Sequence, residues 1–418
     1  MLFIDLTKRA QRNQYFVNKK ISDLAERISE DTSSWMRQYE KIARIEIQKR
    51  IKYEKTTKNI IRNILGLFIK PRLGVSENIY IFEGLRNIEY IKILRPEEVI
   101  IIGTKLEREY ASTNGYRFCW SFPIESAVHF KRSKGWNYFI NHQIKLWLKE
   151  LAKYKKVIFF LYEDTQPLGI FLVHISRILK STVTSVCIQH GYFFKQNFRC
   201  EGVLADVNLL WDIKQVELIG CNKFRSYQIG LPYQAKAKKN PNLLVILVGT
   251  GTNNEDLEKY ERDLDALSKI KSKINQSNGL TILYRPHPNE WKNQSIIKII
   301  RNKFNTLDEL DKVQRLNGPN AIFIGTLSSL LYEAGVAGHI VAHLNQDSEN
   351  EPTFKKHITF DIININDLLS FINNIDLNQY YYRLYNDCNK SNHIERFVSA
   401  LKLENLIKNE DLVKNKIN

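Results

Sequence analysis

The chain has 418 residues, enough for two or three domains at roughly 150 residues each. With 43% apolar and 26% charged residues, its composition excludes a disordered or fibrous protein. A surplus of 62 Lys and Arg over 45 Asp and Glu leaves +17. That charge attracts an anionic partner, whether nucleic acid, phospholipid surface or phosphorylated substrate, without choosing among them.

The basic charge is concentrated at the start: residues 1–73 hold 17 Lys and Arg against 8 Asp and Glu. In residues 20–58, Ile21, Leu24 and Ile28, then Trp35, Tyr39 and Ile42, recur at helical spacing, and Asp31-Thr32-Ser33-Ser34 offers a second helix start. The lead ends at Pro71-Arg72-Leu73-Gly74. Its stretch Ile60–Ile69 suits the interface of an anionic membrane, or equally a helical packing extension with a solvated charged face. No apolar run reaches the ~20 residues of a membrane span, and the opening MLFIDLTKRAQRNQ lacks a signal-peptide core. The five cysteines, Cys119, Cys187, Cys200, Cys221 and Cys388, form no CxxC pair and read as reduced cytosolic thiols. The expected location is therefore the cytoplasm, as a soluble protein or one peripheral at the inner face of the membrane.

Beyond residue 75 the pattern changes. Short β-branched and aromatic runs, Asn78–Phe82, Val99–Gly103, Val157–Tyr162, Val183–Gln189 and Val207–Trp211, read as strands, with a helix over Leu168–Leu179 between the third and fourth. Strand, helix, strand is the signature of parallel βαβ units. After Gly230-Leu231-Pro232-Tyr233, the polar stretch Gln234–Pro241 has linker composition. A second series follows: Leu243–Val248, Leu280–Arg285, Ala321–Gly325 and Ile340–Leu344, with a helical pattern over Asn254–Ile274. The tail, Asn366–Leu406, is mostly helical. The expected organisation is a helical segment 1–75, α/β domains at 76–233 and 242–365, and C-terminal helices at 366–418.

In open α/β sheets, ligands sit beyond the carboxyl ends of the strands. Glu163-Asp164-Thr165 follows the third strand, where one carboxylate suits a general base and either Asp164 or Thr165 suits a helix cap. Gln189-His190-Gly191 ends the fourth as a His-Gly turn, functional or incidental. In the second half, Gly249-Thr250-Gly251 frees backbone N–H groups for phosphate, yet Asn254 breaks the dinucleotide fingerprint and there is no Walker Gly-Lys-Ser/Thr. Arg285-Pro286-His287-Pro288 holds a histidine between two prolines beside an arginine, suited to an anionic leaving group or to a structural turn. Thr326, Ser328 and Ser329 open a helix whose N-terminus favours anions or is simply capped, with Glu333 placed to accept from ribose hydroxyls. Asp263-Leu264-Asp265 looks like a metal-binding DxD, but it falls in a charged helical pattern and reads as solvated surface. HExxH, GxSxG and kinase signatures are absent, as is any nucleic-acid motif.

Taken in order, these motifs resemble those of bacterial GT-B glycosyltransferases that use CMP-activated sugars, the sialyltransferases in particular. Glu163-Asp164 is similar to that family's acidic pair, His287-Pro288 to its His-Pro motif and Ser328-Ser329 to its serine motif; Thr165 stands where the family has glycine. Gln189-His190-Gly191 is similar to a motif of Kdo transferases and CDP-glycerol polymerases, and Gly230-Leu231-Pro232 to the domain junction of many GT-B enzymes, UDP-N-acetylglucosamine 2-epimerases included. The epimerases' Gly-Gly doublet is not found. The resemblance spans roughly residues 76–345.

It implies two Rossmann-like domains facing a cleft. It also implies an inverting, metal-independent transfer of sialic acid or a related nonulosonate from its CMP donor to a hydroxyl of a bacterial surface glycan. Asp164, with Glu163, would take the acceptor's proton. His287, Ser328 and Ser329 would stabilise the departing phosphate. Arg285, Pro288, Thr326, Glu333, Gly249, Thr250 and Gly251 would complete the donor site, with His190 and Gly191 on the acceptor side. No cofactor is expected beyond the donor itself, and nucleic acid is the weaker partner. The alternatives are a GT-B transferase using CMP-Kdo, CDP-glycerol or a UDP-sugar, and a non-enzymatic basic protein that binds membrane or nucleic acid.

Overall fold

A computed structural model of the chain describes residues 66, 69–86, 88–125, 137–162, 164, 167–191, 205–213, 215–216, 225–231, 237–238, 244–249, 257–275, 281–291, 294–326, 328–344, 360–362, 366, 370 and 393–413. The helical lead over 20–58, Glu163, Thr165, Thr250, Gly251 and nearly all of the tail over 366–392 lie outside the described residues. By internal contacts the chain divides into two units, Met1–His190 with Phe198–Pro232 and His393–Asn418, and Gly191–Asn197 with Tyr233–Asn392.

The first unit is built on seven parallel strands: β1 Asn78–Glu83, β2 Val99–Gly103, β3 Arg117–Trp120, β4 Lys156–Leu161, β5 Val183–Ile188, β6 Val207–Leu210 and β7 Ser226–Gln228. Their order is β3-β2-β1-β4-β5-β6-β7, the doubly wound arrangement whose direction reverses between β1 and β4. The central strands are largely apolar because both faces are covered. On one face Ile79, Ile81, Ile100, Val157 and Phe159 meet Trp147 of helix α2 and Phe171 of helix α3. These helices, Asn137–Leu151 and Pro167–Ile178, follow α1, Lys105–Thr113, in the chain. The opposite face, with Tyr80, Phe82, Ile101 and Phe160, is closed by Phe397, Val398 and Leu401 from the C-terminal part of the chain. Phe397 stacks on Tyr90 with ring centroids 4.2 Å apart and lies 5.8 Å from Phe160.

The lead joins this unit where it is described. Gly66, within the stretch read as membrane-facing, is buried, and its carbonyl accepts from Gln143 Nε2 at 3.0 Å. Arg117 Nη1 donates to the Leu73 carbonyl at 2.6 Å, and the Tyr154 hydroxyl donates to that of Gly74, also at 2.6 Å. Among the described residues, no helix is long and apolar enough to cross a membrane.

The second unit has five parallel strands, β8 Leu244–Val248, β9 Thr281–Arg285, β10 Ala321–Gly325, β11 Ile340–Leu344 and β12 Phe360–Ile362, in the order β12-β11-β10-β8-β9. From β8 the chain goes to β9 on one side and then to β10 on the other, so the reversal falls between β8 and β10. Helices α4 Leu257–Asn275, α5 Pro288–Trp291, α6 Gln294–Lys303, α7 Lys312–Leu316 and α8 Ser329–Ala337 fill the connections. Two residues from the stretch with linker composition belong to this sheet's surroundings: Ala237 N–H donates to Ala337 O at 2.8 Å and Lys238 N–H to Gly318 O at 2.9 Å.

Helix α9, His393–Leu403, brings the chain back to the first unit, where Glu404 fixes it. Its carboxylate accepts from Arg225 Nε at 3.0 Å, Arg225 Nη2 at 2.7 Å and the Tyr227 hydroxyl at 2.5 Å. Burial raises the Glu404 pKa, but these hydrogen bonds outweigh it and hold the carboxyl below its ordinary 4.5. A carboxyl lowered by folding stabilises above its unfolded pKa and loses that contribution as pH falls through the folded one. Glu404→Ala is therefore expected to lower stability by about 1–3 kcal/mol at pH 7. In thermal unfolding scans the gap from wild type should narrow as the pH drops below 4.5.

Candidate active site

The second unit holds a cavity of about 530 Å³ at the carboxyl ends of β8, β9 and β10, at the reversal of strand order. Its floor is set by Gly249. The Gly249 N–H donates to Arg285 O at 2.9 Å, and a Cβ there would lie 2.5 Å from Glu290 Oε2 and 2.6 Å from the Tyr284 hydroxyl. Only glycine lets the backbone come so close to these groups.

Glu290 holds the next wall. Fully buried, it accepts from the His287 backbone N–H at 2.6 Å and from the Tyr284 hydroxyl at 3.2 Å. Burial first, and then the Glu290 charge, push the Tyr284 hydroxyl well above its ordinary pKa, so it remains a donor. With Pro286 and Pro288 on either side, the His287 turn is fixed from its backbone outward.

Arg285 is fixed by a partner that lies far off in the chain. The segment over 306–308 runs beside β9, Tyr284 N–H donating to Thr306 O at 3.0 Å and Asp308 N–H to Tyr284 O at 2.8 Å. Asp308, buried, then accepts from Arg285 Nη1 at 2.7 Å, Arg315 Nε at 2.9 Å and Arg315 Nη2 at 2.5 Å. Arg285 Nη1 also donates to Leu310 O at 2.8 Å. Burial works to raise the Asp308 pKa, and the two guanidinium groups overcome it, keeping the carboxyl charged and below its ordinary range.

The third wall is the start of α8. Ser328 is its N-cap, with Oγ accepting from Leu330 N–H at 3.3 Å. Nine residues of helix, Ser329–Ala337, follow, so their aligned peptide dipoles put partial positive charge at the end that lines the cavity. Glu333, its side chain only 2% exposed, pairs through Oε2 with Lys312 Nζ at 2.8 Å.

Of the donor residues expected from the sequence, Gly249, Arg285, His287, Pro288, Ser328, Ser329 and Glu333 all line this one cavity. The motifs did not single out Trp291, Asp308, Glu309, Leu310 and Lys312, which line it too. Thr326 is a correction: it is buried, and its hydroxyl donates to Asp263 Oδ2 of α4 at 3.3 Å. That contact also revises the surface reading of Asp263-Leu264-Asp265. Asp263 and Leu264 are buried, while Asp265 pairs with Lys303 at the surface.

In the first unit, Asp164 is fully buried, and its Oδ2 accepts from the Ala205 backbone N–H at 2.8 Å. His190, half-buried, hydrogen-bonds through Nδ1 to the Tyr162 carbonyl at 2.9 Å, and Gly191 follows it. Since a carbonyl only accepts, Nδ1 carries the proton and Nε2 is the basic nitrogen of the neutral ring. Among the described residues, no group of three or more His, Cys, Asp or Glu is arranged to hold a metal ion.

No protein-family model matches the chain, and no curated protein matches it. Among solved structures, it is similar to a putative UDP-N-acetylglucosamine 2-epimerase from Listeria monocytogenes. The TM-score is 0.50 at 15% identity, over 80% of this chain and 98% of that one. It also matches the wall teichoic acid polymerase TagF at TM-score 0.46 and 11% identity, covering 88% and 99%. A third match is the glycosyltransferase of kitacinnamycin, at 0.45 and 11%, covering 81% and 100%. The fold is α/β of the GT-B kind, with two Rossmann-like domains.

Substitutions at two positions test these placements. Gly249→Ala forces Glu290 and Tyr284 apart, and urea unfolding should show a loss of about 1–3 kcal/mol. Asp164→Ala removes the acceptor of the Ala205 N–H, at about 1–3 kcal/mol. Asp164→Asn, which keeps an acceptor oxygen, should cost measurably less in the same assay.

Proposed function

We propose that the chain is a glycosyltransferase that binds a nucleotide-sugar donor in the cavity of its second unit, and that the donor is a CMP-activated sialic acid or related nonulosonate. The observation that carries the reading is the convergence of the His287 turn, the α8 N-terminus and Gly249 around one cavity at the reversal of strand order. An anionic leaving group there meets directed backbone N–H groups and the His287 imidazole. In a transfer with an oxocarbenium-like transition state, stabilising that leaving phosphate is the main electrostatic task. The acceptor is a hydroxyl of a bacterial surface glycan. Its proton goes to His190, half-buried with its tautomer fixed by Tyr162 O, or to Asp164 of the acidic pair.

Titration calorimetry with CMP, CDP and UDP tests the donor. CMP should bind at least ~10-fold tighter than UDP, a difference of about 1.4 kcal/mol. Selective binding of UDP would overturn the CMP assignment and move the reading toward a UDP-sugar enzyme, the class named for the Listeria neighbour. Binding of none of the three would overturn the donor cavity. Once a donor and acceptor pair is in hand, His190→Asn should lower kcat by roughly 10²–10⁴ with the donor KM little changed. Wild-type turnover in that variant would remove His190 as the base.

A further inference from the structure

We propose that Lys312 is a ligand for the donor's phosphate, held ready by Glu333; this rests on the nucleotide-donor reading of the cavity. The cavity's other basic side chains, Arg285 and His287, are placed differently. Arg285 Nη1 is engaged by Asp308 and the Leu310 carbonyl, and His287 is fixed through its backbone to Glu290. Lys312 opens α7 and lines the same cavity, with its side chain 44% exposed and its Nζ 2.8 Å from Glu333 Oε2.

Glu333 lies in the second turn of α8. Because Cα–Cβ bonds in a helix tilt toward its N-terminus, the Glu333 carboxylate leans back over the first turn and brings the Lys312 ammonium with it. An anion at the α8 N-terminus therefore falls within the sweep of the flexible lysine stem. An ammonium has three donors and no acceptor, so Lys312 can keep Glu333 and still donate to a phosphate oxygen. The buried carboxylate thus serves as a positioning group for the cation.

The test compares nucleotide with nucleoside: CMP against cytidine, or UDP against uridine if UDP is the nucleotide that binds, on the full chain and on Lys312→Met, which keeps the aliphatic stem. Losing a charge-assisted hydrogen bond should weaken the nucleotide ~10–100-fold and the nucleoside less than ~3-fold, with Lys312→Arg recovering most of the nucleotide affinity. Equal weakening of both ligands would overturn the proposal, because a merely structural lysine cannot tell them apart. Unchanged nucleotide binding in Lys312→Met would overturn it as well. A wild-type chain that binds no nucleotide would instead overturn the donor reading, and this inference with it.

Discussion

The cavity exists because β8 ends in a residue without a side chain. Behind Gly249 stand the carboxylate of Glu290 and the hydroxyl of Tyr284, both within 3 Å of the place a Cβ would occupy. Those same groups tie the His287 backbone to β9. Close packing of this kind is unforgiving, since a single added methyl must displace polar groups that have nowhere else to bond. The His287 turn, the floor of the cavity and the opening toward α8 therefore stand or fall together.

Charge in the cavity is arranged rather than accumulated. Asp308 is shared between Arg285 and Arg315, and Glu333 is paired with Lys312. The chain's surplus of positive charge thus does not reappear as a basic patch at this site. In the proposed reading, an anion is held by direction: the start of α8 and cations aimed by buried carboxylates. Such preorganised groups cost little reorganisation when charge develops in a reaction. The large basic excess of residues 1–73 is a separate matter, and the described end of that lead, at Gly66 and Leu73, is bonded to the first unit.

Much of this was legible from local pattern. Val99–Gly103, Ala321–Gly325 and Ile340–Leu344 are strands with the same bounds in sequence and structure, because runs buried on both faces are mostly apolar. The strands that escaped notice include β3, Arg-Phe-Cys-Trp, and β7, Ser-Tyr-Gln, which lie at the two edges of the first sheet and are too short to stand out. At the site, residues just after strands were readable from position alone. Asp308 and Lys312 were not, because their partners Arg285 and Glu333 lie 23 residues before and a helix later. Asp164 and Thr326 show the limit of local sequence: it does not reveal that Ala205 N–H bonds to one and Asp263 to the other.

The central claim is that a nucleotide occupies the cavity of the second unit. Amide hydrogen exchange of the full chain, with and without saturating CMP, reads this directly. Protection should concentrate in 285–291, 308–312 and 328–333, the segments that wall the cavity, with the rest of that unit little changed. Protection confined to the first unit, or none in those segments while CMP is bound, would contradict the account.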